Sequence, residues 1–282
     1  SAPISFTVDT TAPDAVVDLL LVNNNVDPAT PITSGSNTND STPLLSGTAE
    51  PNSTIIVYDG QTPIGTATAG NDGAWSFSPE LTDGSHSLSV TVTDAAGNVS
   101  APSASVAITV DTVAPSAVTQ LSVASDNGNG DPVTIPNGGL TSDNTPVLSG
   151  SGDPGSLIVI TSQDGPVGSV TVGSSGSWSF TPASALSDGS YTLTVVARDA
   201  AGNVSAPVTA QLVIDATAPD QVTEISLSND NGSALVDIPS GSTTSDTTPL
   251  LAGVAEPGST VNILDNGAPI GTAIAGSDGA WS

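Results

Sequence analysis

Val110-Asp111-Thr112-Val113-Ala114-Pro115 recurs upstream as Val8-Asp9-Thr10-Thr11-Ala12-Pro13 and downstream as Ile214-Asp215-Ala216-Thr217-Ala218-Pro219. In each, an apolar alternating segment ends, one aspartate follows, and a proline fixes the direction of the next segment. The copies lie roughly 100 residues apart, the length of one small β-sandwich. The hexapeptide therefore reads as the joint between successive copies of one domain, with its aspartate as a shared metal ligand.

Three further landmarks set the period. Thr42-Pro43-Leu44-Leu45-Ser46-Gly47 returns as Thr145-Pro146-Val147-Leu148-Ser149-Gly150 and as Thr248-Pro249-Leu250-Leu251-Ala252-Gly253. Trp75, Trp178 and Trp281 keep the same step, and Asp94-Ala95-Ala96-Gly97-Asn98-Val99-Ser100 returns at Asp199 to Ser205. A repeat this long is a whole domain rather than a solenoid unit. The expected organisation is a closing strand of a preceding domain at 1–9, where Ile4, Phe6 and Val8 match Val106, Ile108 and Val110. Domains at 10–110, 111–214 and 215–282 follow, the last without its final two strands.

Within one copy the apolar residues alternate with period two. Strands are expected around Val16–Leu21, at Leu44–Thr48, at Ile55–Tyr58 and between the turns Asp59-Gly60 and Asn71-Asp72-Gly73. Three more carry Trp75 and Phe77, then Leu88, Val90 and Val92, then the closing apolar segment. Seven antiparallel strands in about 100 residues predict an all-β chain of tandem immunoglobulin-like sandwiches arranged as a rod.

Composition narrows the function. The chain carries 28 acidic residues against one base, Arg198, and its net charge is −27. Such a chain offers no positive surface for nucleic acid or for anionic membranes. No apolar stretch is long enough to span a bilayer. There are no cysteines, so a domain working outside the cell would need another cross-link, and metal ions at the joints would serve. With one histidine, no lysine and no cysteine, no nucleophile–base pair is assembled, and the chain reads as a non-enzyme.

Counting strands up and down assigns each loop to a pole. The entry pole of the first copy gathers Asp9, Glu50, Asp72, Asp94 and Asn98. In the second copy the same positions are Asp111, Asp153, Ser175, Asp199 and Asn203, and in the third Asp215, Glu256 and Asp278. Carboxylates converging there favour a hard dication, and oxygen ligands without Cys or a free His favour calcium. Asp126-Asn127-Gly128-Asn129-Gly130-Asp131 resembles a second calcium loop, with Asp126 and Asp131 as its ligands, although it lacks the EF-hand spacing. Asp59, Asp83, Asp164 and Asp188, each followed by glycine, read as turn residues. The tryptophans read as core, and His86, at the position of Tyr191, as a substitute for a corner tyrosine.

The motifs Asp-x-x-Ala-Pro, Thr-Pro-x-Leu-x-Gly, Glu/Asp-Pro-x-Ser, Gly-x-Trp-Ser-Phe, Asp-Gly-Ser-x-x-Leu-x-Val and Asp-Ala-Ala-Gly-Asn cover the whole chain. With them the sequence resembles the bacterial Ig-like repeats of giant non-fimbrial adhesins exported by type I secretion. The resemblance implies a calcium-stiffened stalk at the bacterial surface, a virulence factor that spaces an adhesive tip from the cell for attachment to host cells. It implies calcium at Asp111, Asp199 and their equivalents, and Ser175 departs from the acidic pattern. The expected partners are neighbouring Ig-like domains of the same chain, with host-surface glycans met through regions outside this sequence, and the chain is expected to be a monomer. The alternatives are a glycan- or protein-binding module, or an ancillary region of a secreted polysaccharide-active enzyme.

Overall fold

The structure, a computed structural model, describes residues 3–26, 28–126, 132–232 and 234–282. The chain divides into two units, Ser1–Asp215 and Ala216–Ser282. Among the described residues all regular elements are strands.

The first unit holds two sandwiches of the same design. In the first, β1 (Leu20–Asn23), β2 (Thr30–Pro31), β3 (Ser36–Thr38), β4 (Leu44–Thr48), β5 (Thr54–Asp59), β6 (Thr62–Thr68), β7 (Ala74–Phe77), β8 (Gly84–Thr93) and β9 (Val106–Val110) form two sheets. Their orders are β2-β1-β4-β7 and β3-β9-β8-β5-β6. In the second, β10 (Thr119–Ser125), β11 (Val133–Thr134), β12 (Gly139–Thr141), β13 (Val147–Ser151), β14 (Leu157–Ser162), β15 (Gly165–Thr171), β16 (Ser177–Phe180), β17 (Gly189–Arg198) and β18 (Val208–Ile214) repeat that arrangement.

Alternation decides which side chains meet between the sheets. Ile55 and Val57 from β5, Leu88, Val90 and Val92 from β8, and Leu45 from β4 are fully buried. Ile158, Ile160, Leu193, Val195 and Leu148 do the same in the second sandwich. Trp75 and Trp178 lie in these cores, as their inward register on β7 and β16 requires. Gly65 and Gly168 face the rings of Phe77 and Phe180, and a Cβ at either would collide with the ring.

Two features were not expected. The polar segment between the first strand and Leu44 contains β3, which pairs in parallel with β9, Thr38 opposite Val110. Its counterpart β12 pairs with β18, Thr141 opposite Ile214. The closing strand of each sandwich is thus flanked by a short strand from the opening of the same domain. Residues 3–10 form no strand, and Ile4, Phe6 and Val8 are exposed.

The second unit contains β19 (Thr223–Asn229), β20 (Val236–Asp237), β21 (Leu250–Val254), β22 (Thr260–Asp265), β23 (Ala268–Ile274) and β24 (Ala280–Trp281). Its sheets are β20-β19-β21-β24 and the hairpin β22-β23. Its core is small, built on Ala255, Val261, Ala275 and Trp281.

Candidate joint site

β9 ends at Val110 because the parallel ladder ends there, and the next amide continues the line of hydrogen bonds. Asp111 N–H donates to the carbonyl of Thr38 (2.9 Å). Asp215 N–H does the same to Thr141 (2.9 Å). The first residue of each joint is therefore anchored to the sandwich that precedes it.

The β8–β9 and β17–β18 loops approach the joint from the other side. In the second sandwich, Gly202 N–H (2.7 Å) and Asn203 N–H (2.9 Å) donate to Oδ1 of Asp199. The side-chain amide Nδ2 of Asn203 donates to Asp199 Oδ2 (2.8 Å) and to the main-chain carbonyl of Asp111 (2.8 Å). The first sandwich repeats the pattern. Asp94 Oδ1 accepts from Ala96 (2.9 Å) and Asn98 (2.8 Å), and Asn98 Nδ2 reaches Asp94 Oδ2 (2.7 Å) and the carbonyl of Asp9 (3.2 Å). The side-chain bond from Asn98, joined by the backbone amides of the loop and opposed by burial, holds the Asp94 carboxyl below its ordinary range.

The other entry-pole residues divide into separate local groups. Asp153 Oδ2 accepts from the amide of Ser116 (2.7 Å), just after the joint proline. Glu256 Oε2 accepts from the amide of Asp220 at the equivalent place (3.2 Å). In the first sandwich Glu50 lines a shallow cleft with Asp14 and Asp18. Asp72 and Asp278 each accept from the amide two residues on, Ala74 and Ala280 (3.1 Å each), which is turn chemistry in the connections between the two sheets. Ser175 receives Ser177 in the same way at 3.4 Å. Asp9 and Asp111 also cap their own chain, through Thr11 (3.0 Å) and Val113 (3.1 Å). Among the described residues no three His, Cys, Asp or Glu side chains come together as a metal-holding group.

The far pole contributes to the joint as well. Asp83 Oδ1 accepts from the amide (3.0 Å) and hydroxyl (2.9 Å) of Thr112. Arg198 lines a cleft of about 500 Å³ between the first two sandwiches, with Asn23, Thr38 and Asn39 on the opposite wall. The ion pair among the described residues is His86–Asp59. His86 Nε2 meets the carbonyl of Thr82 (2.7 Å), four residues back, as Tyr191 OH meets Ser187 (3.1 Å).

Sequence reasoning passed over one repeated carboxylate. Asp40, Asp143 and Asp246 are buried to within 6%. Asp143 Oδ1 accepts from Thr145 (2.9 Å), Oδ2 accepts from Asp126 (3.2 Å), and its own amide donates to Thr141 Oγ1 (3.0 Å). Asp40 makes the equivalent bonds to Asn24 (3.0 Å), Thr42 (2.9 Å) and Thr38 (3.1 Å), and Asn25 adds a side-chain bond (3.0 Å). Asp246 likewise joins Asp230, Thr248 and Thr244. The detectable signal was Thr-x-Asp-x-Thr-Pro, present in all three copies. In the loop read as a second calcium site, Asp126 is described, and its amide meets Asp143, whereas Asp131 lies outside the described residues.

The donors around Asn203 suit a hard cation in kind. A carboxylate oxygen, a main-chain carbonyl and an amide side chain converge, and the amide NH2 bridges the two oxygens. Two of them are oxygens of the type calcium takes, fewer than the six to eight it requires, and the amide presents its nitrogen.

The profile of a family described as bacterial Ig-like domain matches residues 29–112 and 114–216. Among curated proteins, Exoglucanase B of Cellulomonas fimi is 36% identical over 177 residues, covering 58% of this chain and 14% of that enzyme. Similar solved structures include the fibronectin(III)-like modules of Clostridium thermocellum CbhA, at 14% identity and TM-score 0.43, covering 70% of this chain and 94% of that one. The BSP domain of a biofilm associated protein is 24% identical with TM-score 0.23, covering 65% of this chain and 29% of that one.

Proposed function

The chain belongs to the family of bacterial Ig-like domains, and we propose that its sandwiches are spacers, holding a distant functional region of a secreted or surface protein at a set distance and direction. A spacer must resist bending at its joints. The observation that carries this reading is the double anchorage of Asp111, whose amide bonds to Thr38 of one sandwich while its carbonyl is bonded by Asn203 of the next.

Each bond contributes about 1 kcal/mol net. Calcium is the proposed reinforcement, held by Asp199, Asn203 and Asp111 at the joint and by Asp94, Asn98 and Asp9 at the preceding one. Bound there, the ion supplies charge neutralisation among acids that otherwise repel, and it stabilises only the folded arrangement. Turning the Asn203 amide would present its oxygen in place of its NH2, leaving Asp199 Oδ2 and the Asp111 carbonyl free as ligands. The role follows as the stalk of a large bacterial surface adhesin, exported unfolded and stiffened outside the cell.

A second reading is favoured by the identity with Exoglucanase B: the same spacer would serve as an ancillary region in a polysaccharide-active enzyme. The joint mechanics are common to both.

The calcium step is tested by melting and small-angle scattering of the 282-residue chain with calcium and with chelator. A higher melting temperature and a longer particle in calcium, lost in Asp199→Ala, are expected. Identical curves in both conditions would remove calcium from the account.

A further inference from the structure

We propose that His86 is a proton-operated latch on the first sandwich, which in its charged form ties β8 to β5 and to the β7–β8 loop and so steadies the joint at Thr112. The inference does not depend on calcium or on the spacer reading.

Both ring nitrogens of His86 face acceptors. Nδ1 lies 2.7 Å from Asp59 Oδ2, and Nε2 lies 2.7 Å from the carbonyl oxygen of Thr82. Neither partner has a proton to give once Asp59 is ionised. A neutral imidazole carries one N–H, so one of its nitrogens would set a lone pair against an oxygen at that distance. Only the imidazolium satisfies both contacts. The His86 side chain is 9% exposed, its contact with Asp59 is part-buried, and its contact with Thr82 lies at an exposed place.

The second sandwich shows what the position does. There Tyr191 donates its hydroxyl to Ser187, at the same four-residue interval, and needs no added proton. Gln163, near the place of Asp59, binds the backbone of that strand at Ser190 and Thr192. The corner is thus closed by neutral groups in one copy and by an ion pair in the other. The connection to the joint is short. Thr82, which receives His86, adjoins Asp83, whose carboxylate holds both the amide and the hydroxyl of Thr112.

The charged surroundings favour the proton. Asp59 faces His86 from β5, where its neighbour Tyr58 is the other titratable residue, and Glu80 and Asp83 lie on the β7–β8 loop. β6 and β9 carry no titratable residue. Burial opposes charge on both members of the pair. The hydrogen bonds outweigh it, so His86 is raised above 6.5 and Asp59 held below 3.8. The raised histidine contributes stability in full below pH 6.5 and loses it as pH rises through its folded value. The depressed aspartate contributes above 3.8 and loses its share as pH falls through its folded value. The latch is closed between these limits.

His86 is the single histidine of the chain, so its ring protons can be followed by NMR without assignment. The titration midpoint should lie above 6.5 in the native chain, and Asp59→Asn should lower it. The protection of the Thr112 amide against exchange, corrected for intrinsic rate, should fall between about pH 5.5 and about pH 8.5. That fall should disappear in His86→Tyr, which takes the side chain used by the second sandwich. A midpoint at or below 6.5, a midpoint unmoved by Asp59→Asn, or Thr112 protection that is the same at both pH values would overturn the latch.

Discussion

Asn203 donates its side-chain amide to the main-chain carbonyl of Asp111 across 2.8 Å, although 92 residues separate them in sequence. Asp199 fixes the direction of that amide by taking its second proton at 2.8 Å. Asp111 is bonded through its N–H to one sandwich and through its carbonyl to the next. The two bonds sit on either side of one Cα, and the proposed spacer role takes them to limit bending at the joint.

Replacing Asn203 by Ala removes the bonds to both Asp199 and Asp111. The expected loss is about 1–2 kcal/mol for the second sandwich. Urea unfolding followed by Trp178 fluorescence, with Trp75 and Trp281 changed to Phe, measures it.

Asp143→Ala should cost more, about 3 kcal/mol, because it empties a buried carboxylate site and removes the acceptor of the part-buried amides of Asp126 and Thr145. The same unfolding experiment applies. A loss under about 1 kcal/mol would mean that water replaces the carboxylate.

Gly65→Ala places a methyl group against the Phe77 ring, which must turn or shift. Overpacking of this kind costs about 1–3 kcal/mol. Gly65→Ala combined with Phe77→Leu should recover part of it, and a double-mutant cycle would show the coupling.

The Asp94 carboxyl is held below 3.8, first by the Asn98 side-chain bond. A depressed carboxyl contributes stability above its unfolded value and loses it as pH falls through the folded one. Asn98→Ala should return the Asp94 midpoint, read by carboxyl-carbon NMR, toward 3.8. An unchanged midpoint would assign the shift to the backbone amides of the loop instead.

Much of the fold is legible in the sequence, for a physical reason. Ile55 and Val57, or Leu88, Val90 and Val92, are separated by residues that face outward, and burial on one face leaves that alternation as its trace. Ser36-Asn37-Thr38 leaves no such trace. β3 is three polar residues long, and its place is fixed by the parallel partner β9 rather than by its own side chains. The candidate site was legible in its positions and less so in its grouping. Pole counting places Asp94, Asn98 and Asp9 near one another, but it cannot tell a side chain that bonds its own turn, as Asp72 does, from one that reaches the joint, as Asn98 does. Asp40 escapes a reading by apolar alternation because burial of a charge by backbone amides requires no apolar neighbours in sequence.

The account rests on a joint that does not bend between the first and second sandwiches, and residual dipolar couplings measured on each test this most directly. A single alignment tensor should describe amides from both sandwiches, and Asn203→Ala should split it into two of unequal magnitude. Two independent tensors in the unmodified chain, with calcium present, would contradict the account.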